Sequence, residues 1–340
     1  MFVPNTIIFE KGALDYALGS QIYQDFKKVP NIKVIEASSN RVSPLIPGEN
    51  MYDKYREGKK TLVVGVKKSL KFESCKPSAH YQLPLVSGCM GQCEYCYLNT
   101  QLGDKPFVRI HVNIEEILGQ VEKYIQERSP EITVFEGAAT SDPIPVEPYT
   151  HVLKKVIEYF GTSQLGKFRF VTKYNDIESL LEARHNGHTT VRFSLNTEKV
   201  IKDYEHFTCS VKMRIDAAAQ LAKSGYPIGF IIAPVVLYEG WQDDYRNLLM
   251  NLKESLSQKA EAPISFEVIS YRFTTKAKNT ILQIFPQTTL PMNEEERKFK
   301  YGQFGYGKYV YTKEDLAAIK TFFEYELNRL FENKVIQYII

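Results

Sequence analysis

Tryptophan is almost missing from this chain, with one residue in 340, although tyrosine and phenylalanine number 22 and 20. Cysteine is scarce too. Three of the five fall within residues 89–96, which is no disulfide framework and points to a metal or cluster site in a reducing compartment. Long hydrophobic runs are absent. The most apolar stretch, 228–238, contains Gly229 and Pro234 and falls well short of the ~20 apolar residues that cross a bilayer. The amino terminus has no basic region followed by an apolar core, so a soluble, cytoplasmic protein without membrane contact is expected. A large excess of one charge is lacking as well. Lys and Arg number 43 against 40 acidic residues, a net +3, which excludes a protein that coats DNA by charge alone but not one with a local basic patch. At 24% charged residues the composition is ordinary for a folded chain, and 340 residues can bury a large core.

Residues 1–78 suggest a small α/β subdomain, with strands at 6–9, 32–36 and 61–66, a helix at 13–26 and a basic linker at 67–76. From 79 to 275 apolar runs (81–86, 132–136, 168–172, 190–195, 227–236, 264–271) alternate with helical patterns. Asn113 and Glu116 have capping-box spacing, and Ile114, Ile117, Leu118, Val121 and Ile125 then line one face. Further helices are expected at 151–160, 177–183, 211–224 and 241–256. Six such units require a parallel sheet, either open and doubly wound or a partial barrel; periodicity does not separate the two. Residues 276–312 suggest a loop followed by a basic aromatic β-hairpin, and 313–340 a terminal helix capped by Thr312.

The most specific feature is Cys89, Cys93 and Cys96, a C-x3-C-x2-C run after the first strand of the alternation. A structural zinc site wants four ligands, and here a fourth would have to come from Cys75, Cys209 or a histidine. A [4Fe–4S] cluster held by three cysteines leaves one iron open to an outside ligand. The six histidines show no metal spacing.

The run resembles the signature of the radical S-adenosylmethionine superfamily. Its surroundings, SGCMGQCEYCYLNT (87–100), FEGAATSDP (135–143) and KFKYGQFGYGKYVY (298–311), are similar to those of the spore photoproduct lyase family over essentially the whole chain. The resemblance implies an α/β fold, a (β/α)6 partial TIM barrel with an N-terminal α/β extension and a C-terminal β-hairpin plus helix. It implies a [4Fe–4S] cluster on the three cysteines and S-adenosyl-L-methionine as cofactors. The implied substrate is ultraviolet-damaged DNA carrying the methylene-bridged thymine dimer, repaired in the bacterial spore core through a 5′-deoxyadenosyl radical. A flavodoxin- or ferredoxin-like electron donor is implied as partner. In that family a cysteine donates hydrogen to the product radical, and two tyrosines, here Tyr95 and Tyr97, relay it back to deoxyadenosine. The donor cysteine stands just before the Thr-Ser-Asp that ends the second strand, and this chain has Ala139 there. A methyl C–H does not replace a weak S–H, so the donor step is expected to be impaired. The chain is read either as an engineered donor-less variant, the preferred reading, or as a divergent member that quenches differently.

In barrel enzymes, catalytic and binding groups lie at the carboxyl ends of strands. Those ends carry Ser141, Asp142, Lys173, Ser194 and Ala233, taken as cofactor contacts, with Lys173 facing the carboxylate of the methionine moiety. For DNA, the candidates are Tyr271, Arg272, Arg297, Lys298, Lys300, Tyr301, Phe304, Tyr306 and Lys308. Cations bind phosphates, and aromatic faces stack on bases that leave the helix. Residues 271–311 hold seven Lys or Arg and three Glu, so the positive excess of the whole chain lies there. Two other readings remain: a different radical enzyme of the superfamily acting on nucleic acid or a small substrate, and a zinc-containing nucleic-acid-binding module without redox chemistry.

Overall fold

The computed structural model describes residues 1–256, 262–301 and 307–340, which form two compact units. The first comprises 1–91, 101–172 and 176–190, and the second 92–100, 173–175 and 191–340.

In the first unit a five-stranded sheet runs in the order Lys33–Glu36, Thr6–Phe9, Thr61–Gly65, Val108–His111, Val86–Ser87. The first four strands are parallel and the fifth is antiparallel. Every residue of Thr61–Gly65 is buried, as a parallel strand covered on both faces requires. This sheet reaches past the expected boundary at residue 78 and takes its fourth strand from Val108–His111. The apolar run 81–86 also serves two sheets: Tyr81–Gln82 pairs with Phe135 and Glu136, whereas Val86–Ser87 joins the sheet just described. Strand Thr133–Glu136 then pairs in parallel with Gly166–Thr172.

Helix Ile114–Arg128 buries the five residues its periodicity assigned to the core. Asn113 does not cap it. Its amide instead accepts from the Lys67 N–H and donates to the Lys67 carbonyl and to Glu116, pinning the linker to the helix start. The helix expected at 177–183 is one 3-10 turn, Glu178–Leu180. Asn186 and Gly187 follow with left-handed backbone, and a segment so short cannot repay helix nucleation.

In the second unit, residues 191–195, Ile228–Val235 and Ile264–Ser270 are parallel neighbours, and Lys334–Ile339 adds a fourth parallel strand beside Ile264–Ser270. The terminal helix is therefore Lys313–Leu330, opened by a Thr312–Asp315 capping box, and not the whole of 313–340. Residues 334–339 carry the β-branched and aromatic side chains that suit a pleated surface. The stretch expected as loop at 276–296 begins as helix Thr275–Ile284. Thr274 caps it, Ile281 and Ile284 are buried, and Pro286 forbids its continuation. Among the described residues no helix is long and apolar enough to cross a membrane.

Candidate active site

The cysteine loop starts at Gly88. Its φ is +77°, and a Cβ there would lie 2.1 Å from the Phe107 carbonyl oxygen, so only glycine makes this turn. The Gly88 N–H donates to the Thr140 carbonyl at 2.9 Å, and Gly88 bridges Ser141. The turn after strand Thr133–Glu136 is thus locked to the beginning of the loop. Ala139 lies in that turn, partly buried. The Gly91 N–H donates to Cys89 Sγ at 3.3 Å. Below it, the buried Lys59 donates Nζ to the carbonyls of Cys89 (2.9 Å) and Gly91 (2.7 Å).

In the second unit the rest of the loop has its own supports. Gln92–Cys93 pairs antiparallel with Glu205–His206, and the Glu94 N–H donates to the Tyr204 carbonyl at 2.9 Å. Asn99 Nδ2 donates to the carbonyls of Cys93 and Glu94. Cys93 is buried, while Cys89 and Cys96 are partly exposed. Among the described residues no three His, Cys, Asp or Glu side chains are drawn together as a metal site. The donor set nonetheless fits an iron–sulfur cluster. Three thiols share one short loop, a backbone N–H points at one sulfur, and a buried cation with no carboxylate partner among the described residues supports the backbone between two of them.

Tyr95 and Lys173 meet in a charged network. Lys173 Nζ donates to Tyr95 Oη at 2.6 Å and to Glu205 Oε1 at 2.7 Å, and the Tyr95 hydroxyl donates to the same carboxylate. Arg214 is fully buried and donates to Glu205 at 2.6 Å, to Thr208 Oγ1 at 2.8 Å, and to the carbonyls of Ser194 and Cys209. Burial alone would raise the Glu205 carboxyl, but the Lys173 and Arg214 cations outweigh it and hold it at about 2. Burial, reinforced by the Glu205 charge, pushes the Tyr95 phenol well above its usual range. Lys173 was expected to face a cofactor carboxylate. Here its ammonium is held by Tyr95 and Glu205. Tyr97, on the same loop, is half exposed.

Other expected cofactor contacts divide. Asp142 is buried and accepts from the Thr172 hydroxyl (2.8 Å) and the Ile144 N–H (3.2 Å), so it fastens two strand ends of the first unit together. Ser141 and Ser194 are buried, and Ala233 is partly exposed on strand Ile228–Val235.

The basic hairpin is present as strands Lys298–Tyr301 and Gly307–Val310. Phe304 and Tyr306 lie outside the described residues. Lys298, Lys300 and Arg272 are exposed, and Tyr301 is 78% exposed. The hairpin is fastened by paired backbone bonds between Tyr309 and Phe273. Lys300 sits directly across from Lys308, a like-charge pair that a sheet does not favour. Burial, then the charges of Arg272 and Lys300, lowers the Lys308 ammonium from its ordinary value. Tyr271 and Arg297, expected as DNA contacts, are both buried. Tyr271 is 2% and Arg297 8% exposed. The guanidinium lies 3.6 Å from the Tyr311 ring centroid and donates to the carbonyls of Tyr271 and Pro291. That arginine anchors the base of the hairpin.

Sequence reasoning missed Lys59, Glu205 and Arg214. For Arg214 a signal existed: positions 211, 214, 215 and 218 share one helical face, and its other members are apolar and buried.

A sequence profile of the family described as spore photoproduct lyase matches residues 2–340. The chain is 54% identical over 334 residues to spore photoproduct lyase of Clostridium acetobutylicum, covering 98% of each protein. It is 46% identical over 337 residues to that of Bacillus subtilis, covering 99% of this chain and 98% of the relative. A solved spore photoproduct lyase complexed with dinucleoside spore photoproduct matches with a TM-score of 0.95 at 45% identity, over 99% of both chains. A mutant with bound AdoMet and the dinucleoside spore photoproduct matches with a TM-score of 0.94 at 45% identity, over 100% of this chain and 99% of that one. The fold is the α/β half-barrel of those structures, a curled parallel sheet, as expected.

Proposed function

The chain belongs to the spore photoproduct lyase family of DNA-repair enzymes, and we propose that it reverses the methylene-bridged thymine dimer by radical chemistry. The observation that carries this reading is the joint between Gly88 and Thr140–Ser141. It fixes position 139, at a strand's carboxyl end, beside the start of a loop bearing three thiols. Solved relatives that hold AdoMet and the lesion support it.

Cys89, Cys93 and Cys96 would hold the [4Fe–4S] cluster. When bound, the cluster and S-adenosyl-L-methionine would supply the radical chemistry. The protein's own groups position and insulate. Gly91 and Lys59 fix the backbone around Cys89, and Glu205 accepts the hydrogen bond of Tyr95, so that phenol's proton has a defined acceptor. Tyr97 lies two residues on with its ring half exposed, as a relay to a bound substrate needs. Ser141, Ser194 and Ala233 are proposed as contacts to the cofactor. An electron donor of flavodoxin or ferredoxin type and a place in the spore core complete the proposal.

At position 139 there is no S–H bond to quench the product radical. Ala139→Cys is expected to raise the share of normal thymine product at least several-fold, with little change in the rate of lesion consumption. Chromatography of the products measures this, and an unchanged product ratio would remove the donor assignment.

The opposed Lys300 and Lys308 are read as a phosphate clamp whose mutual repulsion is relieved by an anion. Replacing both with glutamine should weaken binding to a lesion-bearing duplex and lower the salt slope of log K by about 0.7–0.9 for each phosphate no longer neutralised. Anisotropy titrations at several salt concentrations give the slope. An unchanged slope would leave the lysines as mere edge protection.

The function itself is tested by anaerobic reconstitution with iron and sulfide, followed by incubation with reductant, S-adenosyl-L-methionine and the lesion dinucleotide. Loss of the lesion supports the proposal. A colourless protein holding a single zinc ends the radical reading.

A further inference from the structure

Lys59 ends helix Met51–Lys59 and is 2% exposed, yet among the described residues no carboxylate lies within ion-pair distance of it. Its ammonium donates to the carbonyls of Cys89 and Gly91 and lies 5.4 Å from the centroid of the buried Tyr55 ring. Its position is imposed by the fold. A Cβ on the preceding Gly58 would come within 2.8 Å of the Lys105 backbone, so the helix end packs tightly against that segment.

A buried charge without a counter-charge destabilises the chain that carries it, unless an anion arrives. Carbonyl oxygens and the helix carboxyl end offset part of this ammonium, but they carry only partial charges. The loop it grips bears Cys89, Cys93 and Cys96. Thiolates are the form that binds metal, and a cluster carrying three of them is anionic, more so after reduction. We propose that Lys59 is the counter-cation and positioning residue of the iron–sulfur loop. Its two hydrogen bonds fix the backbone between the first and second cysteines, and its charge favours the reduced cluster. The inference rests on the reading of the three cysteines as a cluster site.

The test compares the wild type with Lys59→Gln, Lys59→Met and Lys59→Arg. Iron content and the reduced fraction at set potentials are read by electron paramagnetic resonance, and apo-protein melting by circular dichroism. Lys59→Gln keeps a donor and loses the charge. It is expected to bind iron but to show about a tenfold lower reduced-to-oxidised ratio, equivalent to about 59 mV for a one-electron couple. Lys59→Arg should stay near the wild type. Lys59→Met, without donor or charge, should also lose part of its iron. The apo forms of the neutral variants should melt no lower than the wild type, because an unpaired buried charge has been removed. A lower apo melting temperature, or failure to fold, marks an ordinary structural lysine and overturns the proposal. So does a glutamine variant with wild-type iron content and midpoint. A wild type that binds no cluster removes both this inference and the functional reading, whereas unchanged variants of a cluster-bearing wild type remove the Lys59 role alone.

Discussion

Cys93→Ser is expected to give a folded protein that holds no stable cluster and repairs no lesion. Cys93 is 6% exposed, and its backbone is clamped by the strand pair with Glu205–His206 and by the Asn99 amide. Serine fits that space and leaves those bonds in place. The cost to the apo-protein is the desolvation of one hydroxyl, about 1–3 kcal/mol. The cost to the cluster is of another kind, since an alkoxide ligand is not available near neutral pH and two thiolates do not hold a cubane. Iron per chain should fall to near background and lesion turnover below detection, while the far-ultraviolet dichroism stays unchanged. Full iron loading in this variant would mean that other residues hold the metal.

Arg214→Met is expected to destabilise the protein by about 3–5 kcal/mol, the usual penalty for removing one partner of a buried ion pair. Arg214 makes four hydrogen bonds from a fully buried position, and without it Lys173 is the one cation left on Glu205 among the described residues. Urea unfolding measures the loss, and a change under 1 kcal/mol would contradict the network. Glu205 also gives the network a pH signature. Its carboxyl is held at about 2, below the ordinary 4.5, so its contribution is complete above 4.5 and is lost as pH falls toward 2. Glu205→Gln should therefore flatten the decline in unfolding free energy across that acid window.

The sequence exposed what depends on local periodicity and little of what depends on distant partners. The buried stripe of Ile114–Arg128 and the cap at Thr312 were legible because both are set within a few residues. The strand Lys334–Ile339 was not, since a short alternating segment after a helix becomes a strand only when a neighbour such as Ile264–Ser270 offers an edge. In the site, the spacing of Cys89, Cys93 and Cys96 was legible because it lies within one short loop. The packing of Arg297 was not legible: beside Lys298 and Lys300 it looks like another phosphate ligand. Only the fold shows its guanidinium turned inward against Tyr311, while Lys300 faces Lys308 across the hairpin. Lys59 lies 30 residues from Cys89 and left no local trace.

The most direct test of the central claim is release of 5′-deoxyadenosine by the reconstituted enzyme, with reductant and S-adenosyl-L-methionine, in the presence of lesion-bearing or undamaged oligonucleotide. Release that rises with the lesion, together with lesion loss, is the expected result. Equal release with both oligonucleotides would contradict it.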